Sequence, residues 1–102
     1  MTDVIEQKRA ELVTLCRRAG ARRLDVFGSA QRADFDPSTS DLDFLVEFDE
    51  LPPGRYADAY FLLKESLERL FGRPVDLLTQ SSLENPYLRE RVLAERQLVY
   101  AR

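Results

Sequence analysis

Histidine is absent from this 102-residue chain, and cysteine occurs once, at Cys16. The first absence removes the commonest general acid–base side chain, and the two together leave zinc and other borderline metals without their usual ligands. A single cysteine forms no intramolecular disulfide, and Cys16 falls on the apolar stripe of an N-terminal helix, which reads as a buried structural thiol. Long hydrophobic runs are missing too. None approaches bilayer-spanning length, and Met1 is followed by a polar helical segment rather than a signal peptide, so a cytoplasmic chain without membrane association is expected. Nor is there a broad cationic face. Fifteen Lys and Arg are interleaved with eighteen Asp and Glu for a net charge of −3, which argues against direct nucleic-acid binding. An acidic chain that handles phosphates must recruit cations, and metal ions are the natural source.

What is present is the composition of one ordinary globular domain over residues 1–102, 44% hydrophobic and 32% charged. Residues 3–19 read as one amphipathic helix. Asp3 and Glu6 form a capping-box pattern, Ile5, Leu12, Leu15, Cys16 and Ala19 share a side, and Gly20 suits the stop. A short strand over 23–27 runs into Gly28-Ser29. Residues 30–34 suit a short helix, and 36–40 have loop chemistry. A second strand is expected over 41–48. After the loop Leu51-Pro52-Pro53-Gly54, residues Tyr56, Tyr60, Leu63, Leu67, Leu70 and Phe71 trace one face of a long helix, with Glu65 and Arg69 placed to pair on its solvent side. Gly72 and Pro74 end that helix and open a third strand, 74–78. Asn85-Pro86 is a cap followed by a first-turn proline, starting a helix to about Arg96, and 98–100 suits a terminal edge strand. This order describes an α/β (α+β) domain, helices packed on a small mixed sheet, with a parallel connection from the second strand to the third.

The candidate chemistry lies in three aspartates. In Asp41-Leu42-Asp43-Phe44-Leu45-Val46-Glu47-Phe48, apolar residues alternate, putting Leu42, Phe44, Val46 and Phe48 on one face and both aspartates on the other. Two residues along a strand, their α-carbons are about 6.5–7 Å apart, so both carboxylates can converge on one metal or flank a pair. Asp76 sits between Val75 and Leu77 in the third strand. If the two strands are neighbours, the three acids meet on one surface. Gathered carboxylates repel unless a cation neutralises them, and an all-oxygen ligand set suits magnesium or manganese.

Gly28-Ser29 supplies the complementary half. A glycine at a strand end, before a helix, lets backbone amides approach phosphate oxygens, and Ser29 adds a hydroxyl donor. Alone the dipeptide is an ordinary turn, and no lysine follows where a P-loop needs one; its value comes from Asp41-Leu42-Asp43 downstream. Arg32 can reach a triphosphate or leaving pyrophosphate, or else pair at the surface with Asp34 or Asp36. Ser40 is expected to support the loop through backbone hydrogen bonds.

Val26-Phe27-Gly28-Ser29, then eleven residues, then Asp41-Leu42-Asp43-Phe44-Leu45-Val46 resembles the signature of the nucleotidyltransferase superfamily that includes DNA polymerase β. The short length, Ser40-Asp41-Leu42-Asp43 and Val75-Asp76-Leu77 resemble its minimal nucleotidyltransferases (MNT), which are often encoded beside a HEPN-domain protein as a toxin–antitoxin pair. The resemblance covers essentially the whole chain. Ala33 departs from it, standing where relatives often have glycine. It implies a polymerase β-like fold, nucleotide binding by Gly28 and Ser29, and two divalent ions, Mg2+ or Mn2+, on Asp41, Asp43 and Asp76. The implied reaction moves AMP from ATP to a hydroxyl of a HEPN-type toxin, most plausibly a tyrosine. The competing readings are an antitoxin acting by binding alone and a transferase acting on RNA or a small molecule. A domain this short encloses no acceptor, so a partner must present one or a homo-oligomer must complete the site.

Overall fold

Leu42, Phe44 and Val46, the alternate residues of one strand face, are all buried, and that strand lies inside the sheet. A computed structural model describes residues 3–28 and 41–102; the expected short helix at 30–34 and loop at 36–40 lie outside them. The strands are β1 (Ala21–Phe27), β2 (Leu42–Phe48), β3 (Val75–Leu78) and β4 (Gln97–Ala101), in the spatial order β3-β2-β1-β4. β1 is antiparallel to both β2 and β4, and β2 is parallel to β3, so the sheet is mixed as expected. The helices are α1 (Asp3–Gln7), α2 (Arg9–Ala19), α3 (Arg55–Phe71) and α4 (Pro86–Glu95). A 3-10 segment over Gln80–Glu84, which the sequence pattern did not suggest, leads into α4.

Two apolar clusters divide the sheet by face. Leu24, Val26, Leu42, Phe44, Val46, Val75, Leu77 and Val99 pack with Ile5, Leu12 and Cys16 from α1 and α2, and with Leu63 and Leu67 from α3. Phe44 and Phe71 stack within this core at 6.0 Å between ring centroids. On the opposite face, Phe27 and Leu45 pack against Val92 of α4, with Leu78, Leu83 and Leu88 around them. The 17-residue α3 carries the chain from β2 to its parallel neighbour β3.

Helix ends fall where local chemistry demands. Gly20 and Gly72 close α2 and α3 at φ 77° and 65°, left-handed conformations that a Cβ disfavours. Asn85 caps α4, its Oδ1 accepting from the N–H groups of Tyr87 (3.0 Å) and Leu88 (3.3 Å), and Pro86 occupies the first turn.

Three helical expectations are corrected. The N-terminal helix is broken at Lys8 (φ −110°, ψ 11°) rather than continuous. Arg9, just past the break, donates to the Val99 carbonyl of β4 at 2.9 Å and pairs with Glu6 at 2.9 Å; Glu6 therefore faces Arg9, and tertiary anchoring outweighs helix continuity at one residue. On α3, the i,i+4 pair is Lys64–Glu68 (3.3 Å) rather than Glu65–Arg69. Glu68 accepts a second bond from the Val75 amide at the start of β3, which selects that side of the helix. Tyr56 is also exposed rather than core; its hydroxyl accepts from the Leu51 N–H at 3.2 Å, and its ring meets Phe48 edge-on at 6.5 Å between centroids.

Candidate active site

The site is a row of residues crossing three strands. Phe27, the last residue of β1, is the register partner of Asp43, and Asp43 is the partner of Asp76. Directly paired residues point to the same side of a sheet, so both aspartates lie on the α4 face, on strands roughly 4.8 Å apart. Asp41, two residues before Asp43 and just ahead of β2, is exposed, as is Asp76, while Asp43 is half-buried. The structure thus brings Asp43 and Asp76 together and puts Asp41 at the same rim. Among the described residues, no three acidic, histidine or cysteine side chains are gathered tightly enough to form a metal cluster. The convergence expected of all three acids is therefore not seen among the described residues; the backbone register sets only Asp43 beside Asp76.

The strands that carry Asp43 and Asp76 are held in place by their neighbours. The Val75 N–H donates to Glu68 Oε2 at 3.0 Å, and the Leu77 carbonyl accepts from the Tyr60 hydroxyl at 2.8 Å, so Asp76 sits between two tethers from α3. The Val75 amide, with the Lys64 ammonium beside it, holds the Glu68 carboxyl below its usual range. The Leu42 amide, one residue before Asp43, donates to the Pro74 carbonyl at 3.3 Å and joins the starts of β2 and β3.

Gly28 follows Phe27 at φ 71°. A Cβ at this position would lie 2.4 Å from Asp43 Oδ2 and 3.2 Å from Arg91 Nη2. The missing side chain is thus what lets the Asp43 carboxylate and the α4 guanidinium reach the strand end. Ser29 and Arg32, the other expected nucleotide-binding residues, lie outside the described residues, as do Ala33 and Ser40.

Sequence reasoning missed two residues on this face. Asp25, one row from Asp43, is 1% exposed and forked by Arg23, Nε to Oδ2 at 2.9 Å and Nη2 to Oδ1 at 3.1 Å. Its partner is structural: the fork satisfies a carboxylate that burial would otherwise penalise. The i,i+2 spacing of Arg23 and Asp25 in a strand was the available signal. Arg91 had none, because only the packing of α4 places it here.

A family profile described as a nucleotidyltransferase domain matches residues 10–99. The chain belongs to the nucleotidyltransferase domain family. It is accordingly a nucleotidyltransferase with a polymerase β-like mixed sheet, as the sequence motifs led us to expect. It is 41% identical over 71 residues to the protein adenylyltransferase MntA of Thermococcus cleftensis, covering 70% of this chain and 68% of that one. It is 35% identical over 91 residues to MJ0435 of Methanocaldococcus jannaschii, provisionally named a protein adenylyltransferase, covering 89% and 92%. A solved structure provisionally described as a minimal nucleotidyltransferase superposes with a TM-score of 0.69 at 39% identity, over 94% and 95% of the two chains. The fold also matches, at 16% identity and a TM-score of 0.67, a chain from a crystal structure of the MntA–HpeT toxin–antitoxin pair, over 92% of this chain and 73% of that one. No helix among the described residues is long and apolar enough to cross a membrane.

Proposed function

We propose that the chain transfers AMP from ATP to a hydroxyl side chain of a partner protein, and that the partner is a HEPN-type toxin silenced by the modification. The observation that carries this reading is the row Phe27–Asp43–Asp76, which sets two carboxylates side by side at the strand end beside Gly28, whose missing side chain leaves room for the Asp43 carboxylate. The names of the Thermococcus and Methanocaldococcus relatives support protein as acceptor, and the toxin–antitoxin structure of the same fold supports the kind of partner.

Asp41, Asp43 and Asp76 are the residues that would hold two divalent ions. An all-carboxylate set, Asp43 and Asp76 paired on neighbouring strands with Asp41 just ahead of β2, fits hard cations such as Mg2+ or Mn2+. Bound there, the ions would neutralise triphosphate charge and lower the pKa of the attacking hydroxyl. The chain's own part is positioning. Gly28 offers close backbone approach to a phosphate, Ser29 a hydroxyl and Arg32 a cation, while Asp76, on the strand tethered by Glu68 and Tyr60, stands ready to accept the hydroxyl proton. The domain, residues 1–102, acts in the cytoplasm and needs its partner to present the acceptor.

Co-expression with the protein encoded next to it, followed by intact mass spectrometry, tests the proposal. The partner should gain AMP with the wild type and none with Asp41→Ala. Equal neutralisation by both, with no added mass, would establish an antitoxin that acts by binding alone.

A further inference from the structure

We propose that Arg91 of α4 binds the phosphates of the nucleotide; this rests on the transferase reading above and adds to it a residue outside the strand and loop motifs. Its guanidinium lies at the strand end, Nη2 3.2 Å from the point where a Gly28 Cβ would sit, beside an Asp43 carboxylate oxygen 2.4 Å from the same point. The backbone under it is fixed. Asn85 caps α4, and Val92, the next residue, is fully buried against Phe27 and Leu45. The head of the side chain, by contrast, has room to turn. Arg91 is 47% exposed, and its tether is an i,i+4 ion pair with Glu95, Nε to Oε2 at 3.6 Å, longer than a hydrogen bond and weak at a solvated surface.

The electrostatics of the rim explain what such a group would do. Asp41, Asp43 and Asp76 all repel a triphosphate, and the chain as a whole is acidic. A guanidinium beside Gly28 offsets that repulsion at the strand end, where it borders the Asp43 carboxylate. Its planar fork suits phosphate bidentately, which an ammonium does not. The Arg91 guanidinium and the Asp43 carboxylate border the same point beside Gly28, so a turn of the arginine side chain brings its fork onto a phosphate held at this rim.

Binding of ATP, AMP and adenosine to the isolated wild-type protein, followed by titration calorimetry with and without magnesium, provides the test. Arg91→Ala should weaken ATP about 10- to 100-fold, the range of a lost charge-assisted hydrogen bond, and leave adenosine unchanged. Arg91→Lys should fall between the two. Arg89→Ala removes the same charge from an exposed position lining a different hollow, with Gln80 and Leu93, and should bind ATP as the wild type does. Equal ATP affinity in Arg91→Ala and wild type would overturn the assignment while leaving the transferase reading intact. Equal weakening by Arg89→Ala would reduce it to a general charge effect. A wild-type protein that binds no ATP under either condition would overturn both readings.

Discussion

Gly28→Ala separates two costs that the structure places on one atom. The residue holds φ 71°, and an L-side chain in that region costs roughly 1–2 kcal/mol. The added methyl would also meet Asp43 Oδ2 at 2.4 Å and Cγ at 3.2 Å, against an ordinary contact distance of ~3.5 Å. Arg91 can swing away, being the far end of a flexible chain, but the Asp43 carboxylate must shift by about 1 Å to clear the methyl. A misplacement of that size costs on the order of 100-fold in rate. Gly54 is the control. Its φ is 86° but nothing lies within 4 Å of a Cβ there, so Gly54→Ala carries the backbone cost alone. Urea unfolding should show both variants destabilised by about 1–2 kcal/mol at unchanged m-value. Single-turnover transfer from ATP should fall about 100-fold in Gly28→Ala only. Wild-type transfer in a folded Gly28→Ala protein would refute the link between this glycine and the Asp43 carboxylate.

Two further predictions concern stability. Asn85→Ala removes the cap from α4 and should cost about 1 kcal/mol by chemical denaturation, with Pro86 unable to compensate because it offers no donor or acceptor side chain. Burial pushes the Cys16 thiol up to about 12. Its folded pKa is raised, so the unfolded chain releases the proton first and stability is lost as pH rises. Relative to Cys16→Ala, stability should decline above pH ~8.5 by on the order of 1 kcal/mol per unit toward pH 12, and native Cys16 should resist a thiol reagent at pH 8 until the protein unfolds.

Much of the fold was legible because its signals are local. Period-two alternation marked β2, an apolar stripe marked α3, and Gly20, Gly72 and Asn85-Pro86 punctuated the helices where the structure ends or starts them. The aspartate faces followed from the same alternation. The Lys8 break and the Lys64–Glu68 pairing were not legible, because the Val99 carbonyl, from the far end of the chain, and the Val75 amide, at the start of the next strand, decide them.

The sequence by itself therefore determined which side chains could form a nucleotidyl-transfer site and which way each strand would turn them, since side-chain direction along a strand is a two-residue property. Only the tertiary structure decided that β2 and β3 are neighbours in the register that pairs Asp43 with Asp76, that Gly28 lies against the Asp43 carboxylate, and that α4 lays Arg91 over both. Register and helix placement are set by burying Leu42, Phe44, Val75 and Leu77 on one face and Phe27, Leu45 and Val92 on the other. That apolar packing is a sum over the whole chain, and no local pattern contains it.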